Sequence, residues 1–417
     1  MCRPEALKRG AEALKRDAEA LKCGTEALKR GTEALKCVTE ALKRRAEALK
    51  RRPETLKQRP ETLKQRLKTA KNGKKPPLEP RKLLEGRPRV WSMLCSPTLW
   101  LMDQSSLNKL GFRSGSFHNP PPMKFIRDIL AEKKAAGKPA VSFEFFPPKT
   151  EEGDRALLEK HIPALLAARP DFCSVTYGAG GSTREKTLMI VDRIQRQHRL
   201  PALAHLTCVN HTRDEVRVLL EKIRALDCKN ILALRGDPPG GGEFQPASGG
   251  FEYSAQLVKF IREHGDFSTG VAGFPEGHIA NPNGKLDDWR HLQEKVAAGA
   301  DFVITQLFFD NADYFEFRDY LAGRLGVRVP VIPGVVAILS ATQITRFTQM
   351  CGAKIPPALR QKLDEIGTDD AAAMKFGIEY ATRQCEELLR RGAPGLHFYT
   401  LNKAHSTVQV LKNLGLA

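Results

Sequence analysis

A carboxylate set inside an apolar strand is the first candidate for chemistry in this 417-residue chain: Glu144, within Val141-Ser-Phe-Glu-Phe-Phe-Pro-Pro148. Strand alternation puts Ser142, Glu144 and Phe146 on one face and Val141, Phe143 and Phe145 on the other. An ionised carboxylate buried without a partner costs several kcal/mol, so such a residue is paired, protonated or working. A structural ion pair and a catalytic acid are about equally good readings of this strand alone.

Later apolar runs also end in polar residues. Thr176-Tyr177-Gly178-Ala179-Gly180-Gly181 closes one, His205 and Thr207 lie in another, and Arg235-Gly236-Asp237-Pro238-Pro239 closes a third. Phe274-Pro-Glu-Gly-His278, Gln306, Pro333-Gly334 and Tyr399-Thr-Leu-Asn-Lys403 continue the series. Each has a bland alternative. His205 could be a hydrogen-bonded core residue, the Gly178–Gly181 cluster a plain turn, and Arg235 and Asp237 an ion pair on one strand face. The glycines precede Ser182-Thr-Arg-Glu185, a capping-box pattern whose helix N-terminus suits a phosphate. Asp288, His291 and Lys295 recur on one helical face, as a solvated stripe or a clamp for phosphate or ribose. His205 and His278 lack ligand spacing for zinc, so no metal site is expected.

These residues need a frame that gathers strand ends. Apolar runs at 141–146, 172–177, 202–208, 230–236, 269–274, 302–309, 329–336 and 396–401 read as strands. Helical patterns fill 154–168, 183–197, 212–226, 252–264, 285–298 and 311–325, followed by a long helical stretch over 340–391 and a last helix over 404–414. Eight strand–helix units in roughly 295 residues predict an α/β fold of the (β/α)8 TIM-barrel type, whose working groups gather at the C-terminal ends of the strands. A doubly wound sheet is the rival, weakened because no GxGxxG follows the first strand.

Residues 1–122 are different in kind. They hold 29 Lys and Arg against 13 Asp and Glu, whereas 123–417 hold 38 against 35, so +16 of the formal charge of +19 resides in this low-complexity basic extension. Leu recurs every seven residues from Leu7 to Leu63, the coiled-coil period of a helical oligomerisation segment, but the matching seam of Ala, Thr, Pro53 and Pro60 is thin and proline-broken. A marginal helix or disordered arm is expected, then a linker, with Met123 as start or domain edge. The near-neutral body makes no electrostatic case for nucleic acid or an anionic membrane. Nine scattered Cys without CxxC fit a reducing compartment, and no apolar stretch is long enough to span a bilayer.

The motifs Phe143-Glu-Phe-Phe-Pro-Pro, Ser174-Val-Thr-Tyr-Gly-Ala, His205-Leu-Thr-Cys, Ala233-Leu-Arg-Gly-Asp-Pro, Ile304-Thr-Gln-Leu-Phe-Phe-Asp, Ile332-Pro-Gly and His397-Phe-Tyr-Thr-Leu-Asn together resemble the methylenetetrahydrofolate reductases, in the same order and over 123–417. The resemblance implies a FAD-containing barrel that reduces 5,10-methylenetetrahydrofolate with NADH or NADPH by ping-pong hydride transfer. It implies a cytoplasmic homo-oligomer in one-carbon metabolism, supplying methionine synthesis. Glu144 matches the position of the proton donor, expected to have a raised pKa, and Asp237 a position near flavin and pterin. Flavin positions are matched by Thr176, Tyr177, Ala179, His205, Arg235, Gly236, Tyr253, Ser254, Phe274, His278, Asp288, His291, Glu294 and Lys295. Folate or nicotinamide positions are matched by Gln306, Gln343, Phe347 and Lys403. Two departures stand out: Phe274 replaces a usual Tyr, and Lys403 a usual Arg. The large regulatory domain of eukaryotic members has no counterpart in the sequence, so inhibition by S-adenosylmethionine is not expected. Two other readings remain: a different flavin barrel, such as a proline dehydrogenase-like enzyme, and a basic arm acting as a nucleic-acid or surface anchor.

Overall fold

The computed structural model describes residues 122–178, 184–238 and 242–417. The heptad repeats, most of the linker, Ala179 and the Ser182 cap fall outside the described residues.

Eight parallel strands close into a barrel in sequence order, the TIM-barrel architecture expected from the alternating pattern. They are β1 (Ala140–Phe145), β2 (Phe172–Val175), β3 (Ala202–Thr207), β4 (Asn230–Leu234), β5 (Ser268–Gly273), β6 (Phe302–Leu307), β7 (Val331–Val335) and β8 (Gly395–Tyr399). Residues of opposite parity serve two cores. Val141, Phe143 and Phe145 pack outward with Cys173, Val175 and the surrounding helices. Phe172, Leu203, Leu232, Phe302, Ile304 and Ile332 fill the interior.

A helix not anticipated from the sequence, α1 (Ile126–Ala135), adds Ile126, Ile129 and Leu130 to that interior cluster. Its first-turn amides are taken up by the barrel: Ile126 N–H donates to Asn230 Oδ1 (2.7 Å) and Arg127 N–H to Ser268 Oγ (3.0 Å). Asn230 and Ser268 open β4 and β5, so α1 covers the N-terminal mouth. Burying each large aliphatic side chain there contributes about 1.5–3 kcal/mol.

The remaining helices follow the strands. After β1 come α2 (Glu151–Ala156), a π-helical turn (Leu157–His161) and α3 (Ile162–Leu166). Then come α4 (Arg184–His198), α5 (Arg213–Ala225), α6 (Ser254–His264), α7 (Lys285–Ala297) and α8 (Asn311–Gly323). The stretch expected to be all-helical over 340–391 is made of three helices: α9 (Ala341–Cys351), α10 (Pro357–Ile366) and α11 (Asp370–Arg390). Gly352 takes a left-handed conformation at the end of α9 (φ 76°), and Pro356 cannot continue a helix. The last helix is α12 (Ala404–Asn413). No helix among the described residues is long and apolar enough to cross a membrane.

Candidate active site

Glu144 is buried on the inner face of β1, flanked by Ser174 of β2 and Tyr399 of β8 in the sheet register. Its Oε2 lies 3.3 Å from Ser174 Oγ, 3.4 Å from His397 Nε2 and 3.5 Å from His205 Nε2. Ser142, also facing inward, lies beside His397 in the register, with Oγ 2.8 Å from Nδ1. An ionised carboxylate only accepts, so His397 Nε2 carries the hydrogen and Nδ1 accepts from the Ser142 hydroxyl. The result is a directed chain: Ser142 O–H to His397, His397 N–H to Glu144.

The expected raised pKa is overturned. Burial pushes the Glu144 carboxyl up, but the His397 hydrogen bond, the His205 and His397 charges and the Ser174 hydroxyl together hold it below its ordinary value. Burial drives His205 down to about 4, so this ring is neutral at neutral pH. The hydrogen bonds from His397 and Ser174 therefore sustain the low carboxyl value.

The loop beyond β8 fixes the mouth of β1. Asn402 pairs both ways with Phe146, accepting its N–H at Oδ1 (3.0 Å) and donating Nδ2–H to its carbonyl (2.7 Å). Thr400 Oγ1 donates to the Glu144 carbonyl (2.7 Å). Leu401 and Asn402 adopt positive φ of 49° and 56° to make that turn.

The other sequence-identified residues occupy strand ends and rim loops. Thr176, Tyr177 and the Arg235–Asp237 segment lie just beyond β2 and β4. β4 ends at Leu234, so the idea that Arg235 and Asp237 share a strand face is incorrect. Gly236 turns there at φ 81°, where an added Cβ would meet Val209 and Thr207. Arg235 instead lies 5.2 Å from the Phe244 ring centroid. Gln306 is half-buried near the end of β6, its Oε1 accepting from Leu307 N–H (2.9 Å).

The α7 stripe divides. Asp288 is buried and Lys295 donates to the Ala272 carbonyl (3.2 Å), whereas His291 and Glu294 are exposed. Burial raises the Asp288 carboxyl and lowers the Lys295 ammonium. Phe274 packs edge-on against His278, centroids 4.6 Å apart. Tyr253 is exposed before α6 while Ser254 is buried. Gln343 is exposed and Phe347 half-buried on α9; Lys403 is exposed before α12. The sequence reading left out Ser142, Ser174 and His397 as site residues. Inner-face parity on β1 marked Ser142, but only barrel closure brings His397 beside it.

A family model described as methylenetetrahydrofolate reductase matches residues 127–415. The chain belongs to the methylenetetrahydrofolate reductase family. An Arabidopsis thaliana member, methylenetetrahydrofolate reductase (NADH) 1, is 40% identical over 305 residues, covering 70% of this chain and 51% of that protein. The 5,10-methylenetetrahydrofolate reductases of Escherichia coli and Salmonella typhimurium are each 35% identical over 302 residues, covering 72% of this chain and 98% of theirs. The chain thus spans about half the length of the plant reductases it matches.

Proposed function

We propose that this barrel reduces 5,10-methylenetetrahydrofolate to 5-methyltetrahydrofolate, with electrons from NADH or NADPH and FAD as the resident cofactor. The observation that carries this reading is Glu144, buried at the C-terminal half of the barrel and hydrogen-bonded to His397 and Ser174. Family membership supports the substrate class. The rim also fits a polar planar guest: His205 Nε2 and Thr207 Oγ1 are buried without hydrogen-bond partners.

FAD, when bound, supplies a hydride acceptor toward the nicotinamide and a hydride donor toward the folate. Arg235 and Lys295 would offer positive charge to its phosphates. Thr176, Gly236, His278 and Asp288 would hold its remaining polar edges, and Tyr177 would lie against its phosphate-bearing part. Gln306, Gln343 and Phe347 would seat the pterin or the nicotinamide, and Lys403 would meet the carboxylates of the folate tail. Asp237 would orient the pterin.

The methylene carbon of the substrate bridges two nitrogens, and opening that ring to an iminium requires a proton on the departing nitrogen. Glu144 delivers it. The carboxyl is ionised at neutral pH in the structure described, so it must take up a proton from solvent before transfer, while His397 and Ser174 hold it in place. Covering the pocket with a flat substrate excludes water and shifts the carboxyl upward.

The absorption spectrum of the purified chain tests this. A yellow protein, bleached anaerobically by NADH or NADPH and reoxidised by methylenetetrahydrofolate, is the expected result. A protein that takes up no FAD, or whose reduced flavin ignores the folate, defeats the proposal.

A further inference from the structure

His211 lies between β3 and α5, is fully buried, and has no part in the proton chemistry described above. Its Nδ1 is 2.7 Å from the Val209 carbonyl, which can only accept. Nδ1 therefore carries the hydrogen, and Nε2 presents a lone pair. Two groups meet that lone pair: Arg184 Nη2 at 2.8 Å and the Tyr177 hydroxyl at 3.1 Å. Arg184 also donates from Nε to the Tyr177 hydroxyl at 3.0 Å, closing a three-membered network. Burial and the Arg184 charge hold His211 below its ordinary value, so the ring is a neutral acceptor.

Such a network orients the guanidinium through Nε and Nη2, engaging two of its five hydrogens without cancelling its charge. A carboxylate partner would have neutralised the cation; the imidazole and the phenol hydroxyl do not. Among the described residues Arg184 forms no ion pair. Glu215, the acid felt by both Arg184 and Tyr177, is engaged in the capping box of α5 through Thr212. A half-buried, oriented, uncancelled cation therefore stands beside Tyr177 at the mouth of β2.

We infer that His211 is a positioning residue that holds Tyr177 and Arg184 to receive the phosphate-bearing part of the dinucleotide cofactor. This rests on the flavin reading of the site. Arg184 supplies the charge and Tyr177 the wall against which it is braced; His211 touches neither phosphate nor reacting atoms.

The test compares FAD with riboflavin, the same ring system without phosphates, by fluorescence titration of the apoprotein. His211→Leu and Arg184→Met should each weaken FAD binding about tenfold, the scale of one charge-assisted hydrogen bond, while riboflavin binding changes less than about twofold. His211→Gln, whose amide oxygen can accept where Nε2 does, should restore most of the FAD affinity. Equal losses for both flavins would mark a merely structural role and overturn the inference, as would an unchanged FAD-to-riboflavin ratio. Should His211→Leu not fold, Arg184→Met at its half-exposed position decides by the same ratio. A wild-type chain that binds neither flavin overturns the flavin reading itself; one that binds FAD, with variants of unchanged ratio, overturns this inference alone.

Discussion

Ser142 Oγ lies 2.8 Å from Nδ1 of His397, across the seam where the last strand closes on the first. The hydroxyl fixes which imidazole nitrogen carries a hydrogen, and so keeps His397 Nε2–H aimed at Glu144. Ser142→Ala frees the other tautomer and leaves Nδ1 buried without its partner. The expected stability loss is about 1–2 kcal/mol. Flavin reduction by NADH or NADPH should be unchanged, while reoxidation by methylenetetrahydrofolate slows about 10-fold or more. Stopped-flow measurement of the two half-reactions separates these effects; equal slowing of both would disprove this positioning of His397.

Glu144→Gln keeps the shape but cannot deliver a proton. Its flavin should still bleach, with folate-dependent reoxidation reduced by about 10²–10⁴-fold. Normal reoxidation removes Glu144 as the acid.

His205 makes stability pH-dependent. The folded value is depressed from 6.5 to about 4, so below about pH 6.5 the unfolded chain takes up a proton that the folded chain refuses. Stability from this group is therefore whole above that pH and falls as the pH drops toward 4, by about 3 kcal/mol in total. The lowered Glu144 carboxyl acts in the same direction at the acid end of the window. Urea unfolding between pH 7.5 and 4.5 should show the decline, and His205→Gln should flatten it. A His205→Gln profile parallel to wild type would refute the assignment.

Much of this architecture was legible because a parallel barrel needs only period-two apolar runs separated by amphipathic helices. Glu144 was conspicuous for the same reason, being the one charge in its run. The sign of its pKa shift was not legible. It depends on His397, which lies 253 residues away and becomes a neighbour only when β8 pairs with β1. The end of β4 was misjudged because Arg235 and Asp237 keep the strand parity while Gly236 turns the backbone out of it. α1 was missed because its apolar residues serve a barrel mouth that the local sequence does not reveal. Gly352 and Pro356, which divide the helical stretch, carry a local signal that the reading of 340–391 did not use.

Gly334 makes room for Tyr399. A Cβ at Gly334 would press on the Thr305 carbonyl oxygen and stand 2.6 Å from a Tyr399 ring carbon and 2.9 Å from its hydroxyl, which donates to that same carbonyl at 2.7 Å, so removing the Tyr399 ring relieves only part of the clash. Gly334→Ala should therefore cost about 1–3 kcal/mol by overpacking. Combining it with Tyr399→Leu, which vacates the ring, should cost less than the two single changes added together. Strict additivity in chemical denaturation would show that the two residues do not compete for space.

Lys403 is the clearest candidate for a tunable contact. Its backbone follows the Leu401–Asn402 turn, which Asn402 locks to Phe146 by two hydrogen bonds. The position of residue 403 is thus set by its neighbours, while its own side chain is exposed. Lys403→Arg should leave the fold and the flavin half-reaction untouched. A guanidinium grips a carboxylate with two parallel hydrogen bonds where an ammonium offers a point charge. If residue 403 meets the carboxylates of the folate tail, the folate KM should fall about 3–10-fold, on the scale of one added charge-assisted bond. The nicotinamide KM should not move, since that dinucleotide presents no carboxylate. An unchanged folate KM, or a parallel fall for both substrates, places the folate tail elsewhere on the rim.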